Sequence, residues 1–164
     1  MENEREINAV SFTGHRIIPP AHIAPLNDLI DRAIAFLYDK GCRSFYCGGA
    51  IGFDTMAAKR VILFRLSHPD CRLHLLLPCR DQASRWSEDD LVRYEFVLAE
   101  ANTVRYVSDE YTDGCMRERN KALAECSDVI VSYVYKEASG AAQTARIAKS
   151  LGKTVYNLYT GLSK

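Results

Sequence analysis

Cys47-Gly48-Gly49-Ala50-Ile51-Gly52-Phe53-Asp54-Thr55 follows the short apolar run Ser44–Cys47 and opens a segment of helical character. A strand, a glycine pair and a helix N-terminus in this order bring backbone amides and the helix dipole to an anion. On this reading Gly48 and Gly49 admit a ligand close to the backbone, and Gly52 lets the helix pack tightly on the sheet. The glycines, at 48, 49 and 52, do not match G-x-G-x-x-G, and no G-x-x-x-x-G-K-[ST] occurs, which argues against a Walker-type nucleotide hydrolase. Asp54, with Thr55 beside it, belongs to the first helical turn. There it either hydrogen-bonds a ribose or complements the helix dipole.

Five more strand-length runs flank this stretch: Asn8–Phe12, Leu73–Leu77, Thr103–Val107, Asp128–Tyr133 and Thr154–Leu158. The segments between them have helical periodicity. Ile23, Leu26, Ile30, Ala33, Ile34 and Leu37 form one i, i+3, i+4 stripe. Leu91, Tyr94, Leu98 and Ala101 form a second, and Met116, Leu123 and Cys126 a third. Ser87–Asp90 reads as a helix N-cap, and Gly41 and Gly152 stand where left-handed residues end helices. Strand starts recur about every 25–36 residues, the length of a strand–helix unit. Six strands alternating with five helices predict a Rossmann-like, doubly wound, mainly parallel α/β sheet with helices on both faces. One domain over residues 1–164 is expected, with its core at about 7–158.

Hydrophobic residues make up 48% of the 164 residues and charged residues 26%, enough apolar content for a buried core and against global disorder. Lys plus Arg equals Asp plus Glu at 21 each, so bulk charge does not hold this chain on nucleic acid or anionic lipid. Arg outnumbers Lys 14 to 7, which makes the placement of the arginines informative, since a guanidinium fork suits phosphate and carboxylate. The start, Met1–Glu6, lacks the pattern of a signal peptide, and no apolar run reaches membrane-spanning length, so a cytoplasmic protein without membrane contact is expected. The six cysteines contain no C-x-x-C pair and read as reduced, mostly buried residues, and no metal or cofactor is expected.

A doubly wound sheet binds its ligands beyond the carboxyl ends of its strands. After the first strand, Gly14, His15 and Arg16 offer a turn with amides and a guanidinium for a phosphate, or else only a turn and a solvated loop. After the third, Pro78–Trp86 carries Arg80, Gln82, Arg85 and Trp86, and Trp86 either stacks on a base or covers the core. After the fourth, Arg119 and Asn120 lie one turn into a helix, either at a phosphate or ribose or on a solvated charged face. After the fifth, Ser139, Gly140 and Thr144 form a small-residue helix start suited to phosphate or to tight packing.

T-G-H-R, C-G-G-A-I-G-F-D-T, P-x(3)-Q-x(3)-W, D-G-C-M-R-E-R-N and S-G-A-A-Q-T, in this order, resemble the SLOG superfamily, which joins the Smf/DprA DNA-processing proteins with the LOG phosphoribohydrolases. Within it the chain is most similar to the YpsA-like branch, over about Ile7–Leu158. The resemblance implies a nucleotide pocket at the C-terminal edge of the sheet, roles in nucleotide-ligand sensing, and self-association as a homodimer. The LOG enzymes carry a catalytic Glu in P-G-G-x-G-T-x-x-E, and the aligned position here is Arg146, whereas the Arg of their M-x-x-R-K motif has a counterpart in Arg119. The leading expectation is therefore a sensor or carrier of a nucleoside phosphate or ADP-ribose-like ligand. The rival is a nucleotide N-glycosidase, for which Glu110 or Asp54 would have to replace the missing Glu. Single-stranded DNA binding, as in the DprA relatives, is disfavoured by the zero net charge.

Overall fold

The computed structural model describes residues 6–162, so the polar start Met1–Arg5 lies outside the described residues. Six strands, β1 (Ala9–Gly14), β2 (Ser44–Cys47), β3 (Arg72–Leu77), β4 (Thr103–Tyr106), β5 (Val129–Tyr133) and β6 (Thr154–Asn157), form one parallel sheet in the order β4-β3-β2-β1-β5-β6. Five helices link them: α1 (Pro20–Asp39), α2 (Phe53–Ser67), α3 (Glu88–Glu100), α4 (Cys115–Cys126) and α5 (Gly140–Ser150). A 3₁₀ turn at Leu158–Gly161 closes the described chain.

The chain steps outward from β1 to β4, then returns to place β5 against the other side of β1. Right-handed crossovers then put α1, α2 and α3 on one face and α4 and α5 on the other. The first face holds the larger core. Val10, Phe12, Phe45, Leu75 and Val131 point there from the strands and meet Leu26, Ile30, Ile34 and Leu37 of α1 and Ala57 and Val61 of α2, all buried. The second core is small, with Ala124, Ile130 and Ala148 at its centre. Small residues there let α4 and α5 approach the sheet closely, and the Ser11 hydroxyl donates to the Leu123 carbonyl at 2.7 Å.

The helix ends have local causes. Ser87 accepts from the Asp90 amide at 3.2 Å and Ser139 from the Ala142 amide at 3.1 Å, capping α3 and α5. Gly41 and Gly152 adopt φ of 104° and 78° just past the ends of α1 and α5. Two helical stripes differ from expectation. On α3 Tyr94 is buried and Leu98 and Ala101 pack partly buried against the core as expected, while Leu91 is at the surface and Val97 is buried in its place. On α4 Cys126 is exposed, and the buried face runs through Cys115, Arg119, Asn120, Leu123 and Ala124. Among the described residues no helix is long and apolar enough to cross a membrane.

The reversal of strand order between β1 and β5 sends their following loops to opposite faces and opens a crevice. One glycine holds the β1 loop beside it. Gly52, at φ 84°, packs against the Arg16 backbone, where a Cβ would collide with the Arg16 carbonyl. Gly52→Ala is expected to cost about 2–4 kcal/mol in urea unfolding. Gly114→Ala, at the open start of α4, is expected to change stability by under about 1 kcal/mol. Equal losses at the two positions would show that the β1 loop does not depend on this contact.

Candidate functional site

Four segments converge at the crevice around a cavity of about 270 Å³. Thr13, Gly14, His15 and Arg16 come from the end of β1, Ala50 and Asp54 from the turn into α2, Met116, Arg119 and Asn120 from the first turns of α4, and Ser139, Gly140 and Ala141 from the start of α5. Sequence reasoning singled out eight of these residues and omitted Thr13, Ala50, Met116 and Ala141. The signal for Met116 lay in its spacing: it stands three residues before Arg119 and so shares its helical face.

His15 ties the loops together. Its amide donates to the Tyr133 carbonyl at 3.2 Å, and its own carbonyl accepts from the Phe53 amide at 3.1 Å. Its Nε2 accepts from the amides of Tyr135 at 2.8 Å and Lys136 at 3.1 Å. A nitrogen that accepts two amides carries no proton, so the ring is neutral with its hydrogen on Nδ1. Burial, then the nearby Lys136 charge, lowers the His15 pKa and favours the same form.

Arg119 is 6% exposed despite its charge. Its Nη1 donates to the Gly48 carbonyl, its Nε to Asn120 Oδ1 at 3.0 Å, and its Nη2 lies 3.8 Å from the Met116 sulfur. Asn120 in turn donates to the Gly140 carbonyl at 3.3 Å and Gln143 Oε1 at 3.2 Å, linking the guanidinium to the start of α5. Gly140 and Ala141 open α5, so their amides have no intrahelical acceptor and stand at the cavity wall. Burial pulls the Arg119 pKa down, and Asp54 pushes it back up.

Asp54 is 4% exposed, and Oδ1 is its unsatisfied atom. Oδ2 accepts from the Ala50 amide at 3.2 Å. Burial raises the Asp54 pKa to about 6 against the opposing pull of Arg119, the Ala50 and Gly14 amides and Arg16. Of the two amides only Ala50 has ordinary hydrogen-bond geometry to the carboxylate.

The other residues singled out from the sequence lie outside this cavity. Gly48 and Gly49 have an internal packing reason. A Cβ on Gly48 would come within 2.9 Å of both Arg119 Nη1 and Asp54 Oδ2, and one on Gly49, at φ 71°, would collide with Leu77. The amide at the α2 start is taken up by His15. Thr55 donates to the Ala50 carbonyl at 2.9 Å and lines a neighbouring groove. Gln82 reaches the Gly49 carbonyl at 3.4 Å and the Tyr94 hydroxyl at 3.0 Å. Trp86 packs on Tyr94 with ring centroids 5.0 Å apart, at the edge of the core. Thr144 is fully buried and donates to the Gly140 carbonyl at 3.0 Å. Arg80 lies over Tyr106, 4.4 Å from the ring centre, and pairs with Asp109. Arg146 donates to the Glu137 carbonyl at 2.9 Å on the far side of α5, so no α5 carboxylate or its replacement lines the cavity.

Two grooves flank the cavity. One, of about 520 Å³, continues past Arg16 to Lys59, Arg60 and Arg93 over an apolar floor of Ile18, Ile51 and Met56. The other, of about 510 Å³, holds Lys136, Arg146 and Lys149 with Tyr135 and Tyr159.

The parallel Rossmann-like sheet thus carries a buried arginine at its switch point. The YpsA family model, described as the YspA SLOG family, matches residues 20–160, and the chain belongs to that family. It is 28% identical over 108 residues to a UPF0398 protein of Halalkalibacterium halodurans, covering 65% of this chain and 57% of that protein. It is 26% identical over 117 residues to a UPF0398 protein of Bacillus cereus strain G9842, covering 68% and 61%. The chain thus spans less than two thirds of the length of these relatives. Among solved structures, DNA processing protein A of Helicobacter pylori, described for its single-stranded DNA binding mode, superposes with a TM-score of 0.64 at 20% identity, over 90% of this chain and 63% of that one. DprA of Streptococcus pneumoniae gives a TM-score of 0.66 at 15% identity, over 90% and 49%. TM1055 gives 0.58 at 17%, over 90% and 72%. At these identities the structures share the fold.

The raised Asp54 pKa has a stability consequence. The folded state holds the Asp54 proton up to about pH 6, and an unfolded aspartate releases it near pH 4. The contribution is therefore fully present below about pH 4 and is lost as pH rises through about 6. Asp54→Asn is expected to stabilise the fold by about 1–3 kcal/mol at pH 8, with the gain disappearing near pH 4. Chemical unfolding at the two pH values measures this, and a destabilised variant at pH 8 would show that Asp54 is held mainly by its pairing with Arg119.

Proposed function

We propose that this protein binds a small phosphorylated, nucleotide-type ligand at the switch point of the sheet, as a sensor or carrier. One observation carries the reading: the buried Arg119 guanidinium and the α5 N-terminal amides of Gly140 and Ala141 line the same small cavity. Positive charge, free N–H groups and the helix dipole there all favour an anion. Arg16 at the mouth adds a second cation without needing to be buried. Net neutrality fits a small ligand, because a few focused charges neutralise one or two phosphates.

Isothermal titration with nucleoside 5′-phosphates, NAD and ADP-ribose tests the reading. Binding of at least one is expected. Arg16→Ala should weaken it several-fold with an unchanged melting temperature, and Arg119→Met should weaken it about tenfold to a hundredfold. Gly48→Asp should abolish it, because its side chain would occupy the space of Arg119 and Asp54. No heat with any ligand, or equal affinity in all variants, overturns the proposal. Release of free base during the same incubation would instead indicate the N-glycosidase.

A second reading has a specific support. The two flanking grooves carry Lys59, Arg60 and Arg93 on one side, Arg60 paired with Asp31 and Arg93 with Asp90, and Lys136, Arg146 and Lys149 on the other, cations beside the cavity that would suit the phosphates of a single strand. The structurally similar Helicobacter pylori protein is described as binding single-stranded DNA. For such a strand, affinity rises with oligonucleotide length and falls steeply with salt. A mononucleotide site shows neither dependence to that degree.

A further inference from the structure

We propose that His15 is a pH-sensitive latch: its neutral ring holds the loop between β5 and α5 against the end of β1, and protonation of the ring releases that loop together with the start of α5. The latch is a property of the loops themselves. Its effect on a ligand rests on the reading of the cavity as an anion site, since the start of α5 supplies the Gly140 and Ala141 amides.

His15 is 8% exposed and follows β1 directly. The order of the sheet puts β5 beside β1, so the ring meets the loop that leaves β5. Nε2 takes both the Tyr135 amide at 2.8 Å and the Lys136 amide at 3.1 Å. Downstream, the loop is tied to α5. The Ser139 hydroxyl donates to the Lys136 carbonyl at 3.1 Å and accepts from the Ala142 amide at 3.1 Å, and Arg146 donates to the Glu137 carbonyl at 2.9 Å. Upstream, Asn157 holds the amide and the carbonyl of Val134, at 3.1 and 2.9 Å. Among the described residues, the backbone groups between Val134 and α5 that reach the β1 side are the two amides on Nε2. A further tie, from the Tyr135 hydroxyl to the Ile17 carbonyl at 2.9 Å, lies at the surface and holds a side chain.

An imidazolium has two donors and no acceptor. Protonation at Nε2 therefore turns two hydrogen bonds into a donor that faces two donors, and both amides lose their partner. The groups around the ring decide which way the latch responds. Lys136 in the loop, Arg16 next in the chain and Arg119 from α4 are cations, and Asp54 from α2 is the acid on the cavity wall. The Tyr133 and Tyr135 rings stand edge-on to the imidazole from β5 and its loop, and His22 of α1 meets the Tyr133 hydroxyl at 2.9 Å. Burial, then the Lys136 charge, lowers the His15 pKa below its ordinary 6.5. Asp54 offsets the cations less as pH falls through about 6, where it takes up its own proton. The loop is thus fully held above pH 6.5 and is released as pH falls through the lower pKa of the folded protein. A latch that closes in acid would need a carboxylate at Nε2, and two amides stand there instead.

Nitrogen-15 NMR of the whole chain between about pH 7.5 and 4.5 tests the latch, read at the His15 ring and by hydrogen exchange at the backbone. At the upper pH the ring is expected as the tautomer with its hydrogen on Nδ1. Protection of the Tyr135 and Lys136 amides, corrected for the intrinsic exchange rate, is expected to fall at least about tenfold toward the lower pH. The amides of the β1–β2 ladder should change by less than about twofold. In His15→Gln, whose side-chain oxygen accepts while staying neutral, loop protection should vary by less than about twofold over the same range. A proton on Nε2 at the upper pH overturns the inference. So does loop protection that stays constant while His15 titrates, an equal loss at the β1–β2 ladder, or the same loss in His15→Gln. Should His15→Gln fail to fold, the comparison of loop with ladder in the wild type decides by itself. None of these readouts involves a ligand, so failure of the latch leaves the phosphorylated-ligand reading intact.

Discussion

Arg119 reaches over the carboxyl edge of the sheet and donates to the Gly48 carbonyl, 71 residues earlier in the chain. Its helix, α4, lies on one face of the sheet, and the Gly48 loop leads to α2 on the other. The contact leaves room for no side chain at position 48. It places Asp54 beside the guanidinium and, through Asn120, fixes the start of α5. The cavity exists because these groups are held there. A charge buried in this way costs free energy unless it is paired or well hydrogen-bonded, and Asp54 is incompletely satisfied.

A buried arginine beside a buried aspartate at a switch point is a poor choice for stability alone. Apolar side chains of similar size in the same place are often as good or better. Burial raises the Asp54 pKa to about 6, the direction such a cost implies. Perturbed titratable groups in clefts concentrate at functional sites, where a fold accepts instability in exchange for a preorganised ligand contact. His15 contributes in another way. By accepting two amides and supplying one carbonyl, it holds the ends of β1 and β5 and the start of α2 in one arrangement, so the cavity walls are set before any ligand arrives.

The fold was legible because its signals are local. Short β-branched runs, amphipathic stripes and helix-ending glycines each report on their own segment, and their alternation leaves few topologies. The helical registers were less clear: on α3 Leu91 fits the apolar stripe in sequence but lies at the surface, and Val97 is buried with Tyr94. At the site, the Gly48–Gly49 pair signalled that something approaches the backbone closely, and the sequence left open what that is. The approach is made by Arg119, Asp54 and Leu77 of the protein itself. Arg119, within Arg117-Glu118-Arg119, could not be told from a solvated face, since its burial comes from the crossing of α4 over the sheet. Trp86, Gln82 and Thr144 share composition with ligand-binding loops, yet their partners are internal.

Mass spectrometry of the freshly purified protein under native conditions, compared with Arg119→Met, tests most directly whether the buried arginine holds a ligand at the switch point. The wild type is predicted to carry a one-to-one adduct with the mass of a phosphorylated, nucleotide-type ligand, and the variant to have lost it. An adduct retained at equal occupancy by Arg119→Met would contradict the account.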